Sequence, residues 1–336
     1  MKILTVLTGG TIGSKIKNHT VDVKGACCDV VEKYKTTQND KTEFQVVSPI
    51  NILSENMSVD YWNSLTELLS SLSFKDYDGI ILTHGSDTLS YTSALLSICF
   101  AHISIPLVIV AADYPLENPH SNGLQNFTAA VDLIKSRLVR GVFVSYGTQD
   151  KTSIYLASRL QEADGFLDKF RDFTYTPLAI YEKGKTEFLE SRFNPSLEEI
   201  NKERIPVLTK IPVLSDCVQI LTPYPSFDYE TVNIGKNTKA VLQMTYHSGT
   251  VCTQGKGSAL DFLKKCSEKN IDFYLCPLKN SENIYITTKE IINSGAIPLY
   301  NQSKESAYAK LLVAYSQKEM NPVEYMKKNL FFEKIF

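Results

Sequence analysis

The chain has 336 residues, of which 43% are hydrophobic and 21% charged, and its formal net charge is -2. This composition is typical of a globular protein, and the length allows two domains or one large one. The near-neutral charge gives no electrostatic reason to expect nucleic acid or an acidic membrane as a partner, and no apolar stretch approaches the ~20 residues that span a bilayer.

The expected compartment is the cytoplasm. A first strand is predicted from residue 2, which leaves no room for a secretion signal. The seven cysteines, at positions 27, 28, 99, 217, 252, 266 and 276, are an odd number without CxxC spacing. Reduced thiols in a cytoplasmic protein are therefore expected.

The first half of the chain alternates predicted strands and helices. Residues 3–7 form an apolar run that stops at Gly9-Gly10, as in a strand buried in a parallel sheet. Further strands are predicted at 43–53, 79–83, 105–111, 141–146 and 152–160, with helices at 58–72, 89–100 and 121–137. This alternation indicates βαβ units and a mostly parallel sheet.

The composition and periodicity of the sequence change after residue 182. Residues 183–210 are rich in charge, contain two prolines and show no sustained period, so we predict a linker between an N-terminal domain (1–182) and a C-terminal domain (211–336). The second domain has strands predicted at 217–221, 239–245, 271–276 and 297–299, and helices at 258–269, 287–294, 304–316 and 322–330. The expected fold class is α/β, with a larger N-terminal domain whose mostly parallel sheet is flanked by helices and a smaller C-terminal α/β domain.

Two polar turns follow predicted strands of the first domain. The segment Gly9-Gly10-Thr11-Ile12-Gly13 lacks the glycine spacing of a dinucleotide site and the Gly-Lys-Ser/Thr end of a phosphate loop. A threonine there is most often an ordinary turn residue. The stretch His84-Gly85-Ser86-Asp87-Thr88 is open to two interpretations, since Ser86 or Asp87 can serve a site at the strand ends or cap the helix that begins near residue 89.

Taken together, these turns resemble the bacterial L-asparaginase family. TGGTIGS near the N-terminus, HGSDT some seventy residues later and the two-domain α/β layout carry the resemblance. Further segments agree with the family over nearly the whole chain, at residues 54–57, 115–126, 163–166 and 305–311. The resemblance implies hydrolysis of L-asparagine to L-aspartate and ammonia through a threonine acyl-enzyme, without a metal or other cofactor.

The resemblance also assigns roles to individual residues. Thr11 matches the nucleophile, and Ser86 and Asp87 match two members of its proton relay, of which Asp87 also faces the substrate's α-ammonium. Ser54 and Glu55 fall on positions that bind the α-carboxylate and α-amine of the substrate.

Two further positions are expected to complete the site. Backbone N–H groups near Thr11 and Ala111 would stabilise the oxyanion. Thr250 lies in a segment that resembles the part of the family's second domain that reaches a neighbouring subunit's active site. A homodimer or homotetramer is therefore expected, acting on a small amino-acid substrate, with no nucleic-acid or membrane partner.

The chain also departs from the family pattern. The relay lysine is replaced by Leu160, which cannot carry a proton, and the adjacent Arg159 offers only a fixed charge. Ser86 stands where threonine is usual, and Val21 or Asp22 occupies the place of a loop tyrosine. The strand-end histidine His84 is expected to be packed and hydrogen-bonded rather than catalytic.

Two functional hypotheses follow. In the first, the chain is a divergent asparagine amidohydrolase in which Thr11, Ser86 and Asp87 work and another group supplies the missing charge. In the second, it is an asparaginase-like protein with weak or altered activity that binds a small ligand or acts on another amide. Glu55, where glutamine is common in the family, changes the polar groups of the pocket and leaves substrate preference open.

Overall fold

The computed structural model describes residues 1–17, 20–22 and 29–336, with the backbone alone at 15–17 and 20–22. The expected Cys27 and Cys28 thiols and the side chains of Val21 and Asp22 therefore lie outside what is described. The chain forms two compact units, the first comprising Met1–Ile211 with Leu330–Phe332 and the second Pro212–Asn329 with Glu333–Phe336. In the described segments no helix combines the length and apolar character needed to cross a membrane.

The strands of the first unit are β1 (Lys2–Leu7), β2 (Lys15–Lys17), β3 (Thr20–Asp22), β4 (Glu43–Val47), β5 (Gly79–Thr83), β6 (Pro106–Val110), β7 (Gly141–Gly147), β8 (Lys151–Leu156), β9 (Leu160–Gln161), β10 (Arg171–Asp172), β11 (Ala179–Glu182) and β12 (Lys185–Phe188). One large sheet has the strand order β12-β11-β8-β7-β6-β5-β1-β4, while β2 pairs with β3 and β9 with β10 in separate two-stranded sheets. The helices are α1 (Asp29–Gln38), α2 (Val59–Ser70), α3 (Leu89–Cys99), α4 (Gly123–Ser136) and α5 (Leu197–Asn201).

Parallel pairing joins β4, β1, β5, β6 and β7, whereas β8, β11 and β12 are antiparallel to their neighbours. The predicted mostly parallel sheet is thus confirmed. All five residues of β5 and of β6 are buried, which explains why these strands read as continuous apolar runs rather than as alternating ones.

The register places the ends of the central strands level with one another. Leu7 at the end of β1 pairs with Thr83 of β5, and Thr83 pairs with Val110 of β6. Because these strands are parallel, the turns that follow them emerge at the same edge of the sheet.

The second unit carries a smaller parallel sheet, in the order β13-β14-β15-β16. Its core contains Val241, Phe262, Phe273 and Ile291, each almost fully shielded from solvent. The unit consists of β13 (Val218–Leu221), β14 (Ala240–Met244), β15 (Asp272–Leu278), β16 (Ile297–Tyr300), α6 (Ala259–Glu268), α7 (Ile286–Asn293), α8 (Lys304–Ser316) and α9 (Pro322–Lys327). The expected smaller C-terminal α/β domain is confirmed.

The segment expected as a linker instead adds structure to the first unit. Within 183–210, β12 pairs antiparallel with β11, and α5 begins with a reciprocal capping box between Ser196 and Glu199. Phe188 and Ile200 pack on the core of the unit. The pattern was missed because an edge strand and a one-turn helix bury too few side chains to show a period among so many charges.

The C-terminal tail also differs from the predicted domain 211–336, since Leu330–Phe332 group with the first unit. The Phe331 ring is fully buried and meets Phe143 edge-on at 6.1 Å. Ser158 Oγ donates to the Phe331 carbonyl at 2.6 Å, and a Cβ at Gly141 would lie 2.1 Å from the Phe331 ring. One aromatic side chain therefore anchors the tail, a packing effect that follows from the tertiary fold.

A buried ion pair lies in the second unit. Lys310 Nζ is 2.7 Å from Glu333 Oε1, both side chains are fully shielded from solvent, and Nζ also donates to the Lys328 carbonyl. Removing one member of such a pair leaves a desolvated charge behind, which costs far more than the pair itself contributes.

We expect Glu333→Gln to lower the free energy of unfolding of the second unit by about 3–5 kcal/mol, because the Lys310 ammonium stays buried without its carboxylate. The matched control is Glu324→Gln, which breaks the exposed 2.6 Å pair between Lys327 and Glu324 and should cost less than about 1 kcal/mol. Scanning calorimetry and chemical denaturation report both values. Equal losses in the two variants would contradict a desolvated pair.

Candidate active site

Three turns meet at the carboxyl edge of the large sheet, one after each of β1, β4 and β5. The Gly10 N–H donates to the Ile52 carbonyl at 3.0 Å, and the Ile52 N–H donates to the Thr8 carbonyl at 3.1 Å. Gly9 and Ile52 form a parallel bridge. These bonds extend the pairing of β1 and β4 past the strand ends and fix the turn at 51–56 against the turn at 8–11.

Glycine is required where these turns touch. Gly9 and Gly10 have φ of 98° and 74°, which L-residues with a side chain rarely adopt. A Cβ on Gly10 would lie 2.4 Å from the Gly85 nitrogen, and a Cβ on Gly85 would lie 2.4 Å from Ser54 Oγ. Gly10 therefore packs against the Gly85 backbone and Gly85 against the Ser54 side chain, which brings the segments that carry Thr11, Ser54 and Asp87 together.

Ser54 is buried and bound directly to Asp87. Its Oγ donates to Asp87 Oδ2 at 2.7 Å and accepts from the Asp87 N–H at 3.2 Å. Thr88 Oγ1 donates to the Ser54 carbonyl at 2.8 Å. Ser54 thus holds the Asp87 carboxylate, which remains solvent-exposed and available to a cationic ligand group.

Thr11 begins a short 3-10 turn, Thr11–Gly13, and is partly exposed. The Ser14 N–H donates to the Thr11 carbonyl at 3.1 Å, and Ser14 Oγ donates to the Gly10 carbonyl at 2.6 Å. The Thr11 backbone is therefore fixed by local hydrogen bonds. Ser86, also partly exposed, follows Gly85 on the adjoining turn.

Glu55 lies in the 3-10 turn Ser54–Asn56, where it is exposed beside Ser54. Ala111 follows β6 at the same edge and is fully buried, with its carbonyl accepting from Asn126 Nδ2 at 2.9 Å. Thr250 belongs to the second unit, where its Oγ1 is 3.0 Å from Ser248 Oγ. The structure thus gathers the predicted residues of the first unit on one edge.

A hydrogen-bond network that was not predicted from the sequence fixes the turn after β6. The Asp113 N–H donates to Asn122 Oδ1 and the Asn122 N–H donates to Asp113 Oδ1, both at 3.0 Å. Asn122 Nδ2 also donates to the Gly147 carbonyl at 2.6 Å. Asn122 is the N-cap residue of α4, and Ser121 Oγ accepts from the Gly123 N–H at 3.2 Å. The Asn122-Gly123 pair at the start of α4 and the carboxylate at Asp113 are the sequence features that indicate this network.

The position of the expected lysine is apolar in the structure as well. Leu160 is fully buried in β9, which packs against α3, the helix that starts just after Thr88. Arg159 does not replace it, because its Nε donates to the Phe332 carbonyl at 2.6 Å and its Nη1 to the Phe193 carbonyl at 2.7 Å. The Arg159 guanidinium stabilises the tail of the first unit.

No candidate metal site is present in the part of the chain that the structure describes. Across 1–17, 20–22 and 29–336, no group of three His, Cys, Asp or Glu side chains is placed to hold a metal ion. The polar groups that the described residues bring to the sheet edge include the hydroxyls of Ser54 and Ser86, the Asp87 carboxylate and backbone N–H groups.

His84 is buried at the end of β5. Its backbone N–H donates to the Val110 carbonyl at 2.8 Å, and its Nδ1 is 2.7 Å from the Gly85 carbonyl, an arrangement in which Nδ1 carries the proton. Burial lowers the pKa of His84 to about 4, although the Gly85 hydrogen bond and the nearby Asp87 charge oppose this shift. The ring is therefore neutral at pH 7, as expected of a packed strand-end histidine.

We expect the stability of the first unit to fall as the pH drops from about 6.5 toward 4. The unfolded chain takes up a proton on His84 near pH 6.5, whereas the folded chain resists it until pH 4, so acid favours the unfolded state. Between pH 7 and 5 this one group should cost about 2 kcal/mol. Urea unfolding followed by the fluorescence of the single tryptophan, Trp62, measures it.

The matched comparison is His84→Asn, whose amide can still donate to the Gly85 carbonyl. The loss between pH 7 and 5 should be about 2 kcal/mol smaller in this variant than in wild type. Identical pH dependence in the two proteins would show that His84 is not buried as a neutral ring.

Comparison with known proteins gives a consistent picture. The family described as "Asparaginase, N-terminal" matches residues 2–194, which is more than half of the chain. A glutamyl-tRNA(Gln) amidotransferase component from Methanosphaera stadtmanae is 25% identical across 98% of this chain and 76% of its own length. An L-asparaginase from Thermococcus kodakarensis is 24% identical across 94% of this chain and 92% of its own length.

Solved structures show the same fold. The thermostable L-asparaginase from Thermococcus kodakarensis superposes with a TM-score of 0.81 at 21% identity, covering 99% of both chains. L-asparaginase I from Vibrio cholerae gives a TM-score of 0.76 at 20% identity, covering 99% of this chain and 98% of its own. From the family match and the shared fold, the chain belongs to the asparaginase family and is a hydrolase of carbon–nitrogen bonds in linear amides.

Proposed function

We propose that this protein hydrolyses the side-chain amide of L-asparagine to L-aspartate and ammonia, with Thr11 as the nucleophile. The observation that carries the proposal is the packing of Gly10 on Gly85 and of Gly85 on Ser54, which gathers Thr11, Ser86 and the Ser54–Asp87 pair at one sheet edge. In parallel sheets this edge is where ligands bind. The family match supports the same reaction class.

The proposed reaction has two steps. Thr11 Oγ1 attacks the amide carbon, its proton passes to the amide nitrogen, the carbon–nitrogen bond breaks and ammonia leaves. Water then cleaves the ester on Thr11, releasing aspartate and restoring the hydroxyl. Threonine is a weak nucleophile at neutral pH, so the Ser86 hydroxyl and the Asp87 carboxylate on the adjoining turn assist the proton transfer.

Substrate binding uses the neighbouring polar groups. The exposed Asp87 carboxylate receives the α-ammonium, and its hydrogen bonds from Ser54 fix its orientation. Glu55 adds a second negative group beside Ser54. Backbone N–H groups near Thr11 and Ala111 stabilise the oxyanion, and Thr250 completes the site of a neighbouring copy in a homo-oligomer.

The direct test is ammonia release from L-asparagine by wild type and Thr11→Ala. Loss of the nucleophile should reduce turnover by about 10³-fold or more, since the acyl-enzyme cannot form. Thr37→Ala, on the exposed face of α1, is the control and should retain full activity. Background-level release by both wild type and Thr11→Ala would refute asparagine hydrolysis.

The second candidate function is that of an asparaginase-like protein with weak activity, or with activity on another amide. Leu160 favours it, because a buried leucine stands where the resemblance implies a proton-carrying lysine. Similar proteins named as components of glutamyl-tRNA(Gln) amidotransferase make glutamine an amide to test. A panel of asparagine, glutamine, succinamate-type amides and D-asparagine separates the two candidates.

Leu160→Lys tests whether the apolar residue limits turnover. If proton relay is the missing element, this variant should release ammonia at least about tenfold faster than wild type, a gain that general acid-base groups commonly provide. Leu160→Met preserves volume and polarity and should leave the rate unchanged. A folded Leu160→Lys with no gain, judged by its circular dichroism, would place the limiting step elsewhere.

A further inference from the structure

The second unit contains a cavity of ≈ 470 Å³ at the edge of its sheet, a volume within the range of small-molecule sites. β13 and β14 are parallel neighbours, so the segments that follow them emerge at the same edge. The cavity is lined by the turn at 223–229, by Tyr246 and by residues of the 252–257 loop. Its walls consist of different residues from those that we propose for amide hydrolysis.

Aromatic rings form one wall of this cavity. Tyr224 meets Phe227 edge-on at 5.2 Å, and Phe227 meets Tyr229 edge-on at 4.8 Å. Tyr229 stacks on Phe262 at 4.8 Å and donates its hydroxyl to the buried Gln243 Oε1 at 2.7 Å, which holds the inner ring in place. Tyr224, which is 59% exposed, forms the outer part of the wall. Such a wall suits a planar apolar group.

The turn that carries these rings is strained. The Phe227 N–H donates to the Tyr224 carbonyl at 3.0 Å, and Pro225 and Ser226 occupy the two central positions. Ser226 has a φ of 68°, at the position where such turns favour glycine. A serine in that conformation persists only when the surrounding structure enforces it, and strain of this kind clusters at ligand-binding segments.

A loosely joined pair of opposite charges lies beside the rings. Lys256 Nζ is 3.9 Å from Asp228 Oδ2, a separation beyond hydrogen-bond length, so the ions do not saturate each other. Asp228 Oδ1 accepts from the Glu230 N–H at 2.9 Å, which fixes the carboxylate. The Lys256 side chain is 74% exposed and free to move toward a ligand, whereas that of Asp228 is 28% exposed.

We propose that this cavity binds a free aromatic amino acid. The ligand ring packs against the wall formed by Tyr224, Phe227 and Tyr229. Its α-ammonium faces Asp228 and its α-carboxylate faces Lys256. The pairing of one cation with one anion beside an aromatic wall matches a zwitterion better than it matches a simple acid or a simple amine, each of which would meet one repulsive charge.

Isothermal titration calorimetry of the full-length protein tests the ligand class. L-phenylalanine should bind with one site per chain. Phenethylamine lacks the carboxylate and 3-phenylpropionate lacks the amine, so each should bind at least about fivefold more weakly; L-alanine lacks the ring and should not bind measurably. Equal binding of all four compounds, or no binding of L-phenylalanine, would overturn the proposal.

Variants test the assigned residues. Tyr224→Ala should weaken L-phenylalanine binding about tenfold by removing the outer ring. Asp228→Asn keeps an acceptor for the Glu230 N–H but removes the charge, so it should weaken L-phenylalanine and strengthen 3-phenylpropionate. Lys256→Glu should instead strengthen phenethylamine. The control Tyr285→Ala removes an exposed tyrosine elsewhere in the second unit and should change nothing.

The outcome also distinguishes a macromolecular occupant. If light scattering shows a concentration-dependent oligomer that Tyr224→Ala dissociates, the cavity holds a second copy of the chain and the amino-acid proposal is wrong. The amino-acid proposal is also wrong if the charge variants at Asp228 and Lys256 leave all affinities unchanged. Because binding is measured directly, failure here is independent of whether Thr11 hydrolyses asparagine.

Discussion

The contact of Gly10 with the backbone of Gly85 is the constraint on which the candidate active site depends. Neither residue has room for a Cβ, because Gly10 abuts the Gly85 nitrogen and Gly85 abuts Ser54 Oγ. The level ends of β1 and β5 bring the two turns to one edge, and the bonds between Gly10 and Ile52 bring the third. Rigid strands thus position hydroxyls and a carboxylate that short, flexible turns alone would leave scattered.

The Ser54–Asp87 hydrogen bond gives this edge its chemical character. A hydroxyl that donates to a carboxylate fixes its direction while its charge remains available to solvent and ligand. Leu160 is fully buried in β9, which packs on α3, the helix that follows the turn carrying Asp87. The edge therefore combines hydroxyls, a carboxylate and backbone N–H groups, whereas the position at which the resemblance implies a lysine is occupied by a buried leucine.

Much of the fold could be predicted because its signals are local. Continuous apolar runs marked β5 and β6, and three-and-four spacing marked α2. The failures have physical causes. β12 and α5 bury only a few side chains among many charges, so no period emerged there. The attachment of the tail by Phe331 depends on a space beside Gly141 and Phe143 that exists only once the sheet has formed.

The sequence by itself determined which residues can carry chemistry: the glycine turn with Thr11, the Ser86-Asp87 pair, and the absence of a lysine at position 160. Only the tertiary structure decided which of these groups touch. Ser54 and Asp87 are 33 residues apart and meet through a hydrogen bond, and the reciprocal hydrogen bonds of Asp113 and Asn122 fix the turn after β6. Spacing along a chain reports local periodicity, whereas contacts between distant turns depend on strand register, which forms only when the whole sheet assembles.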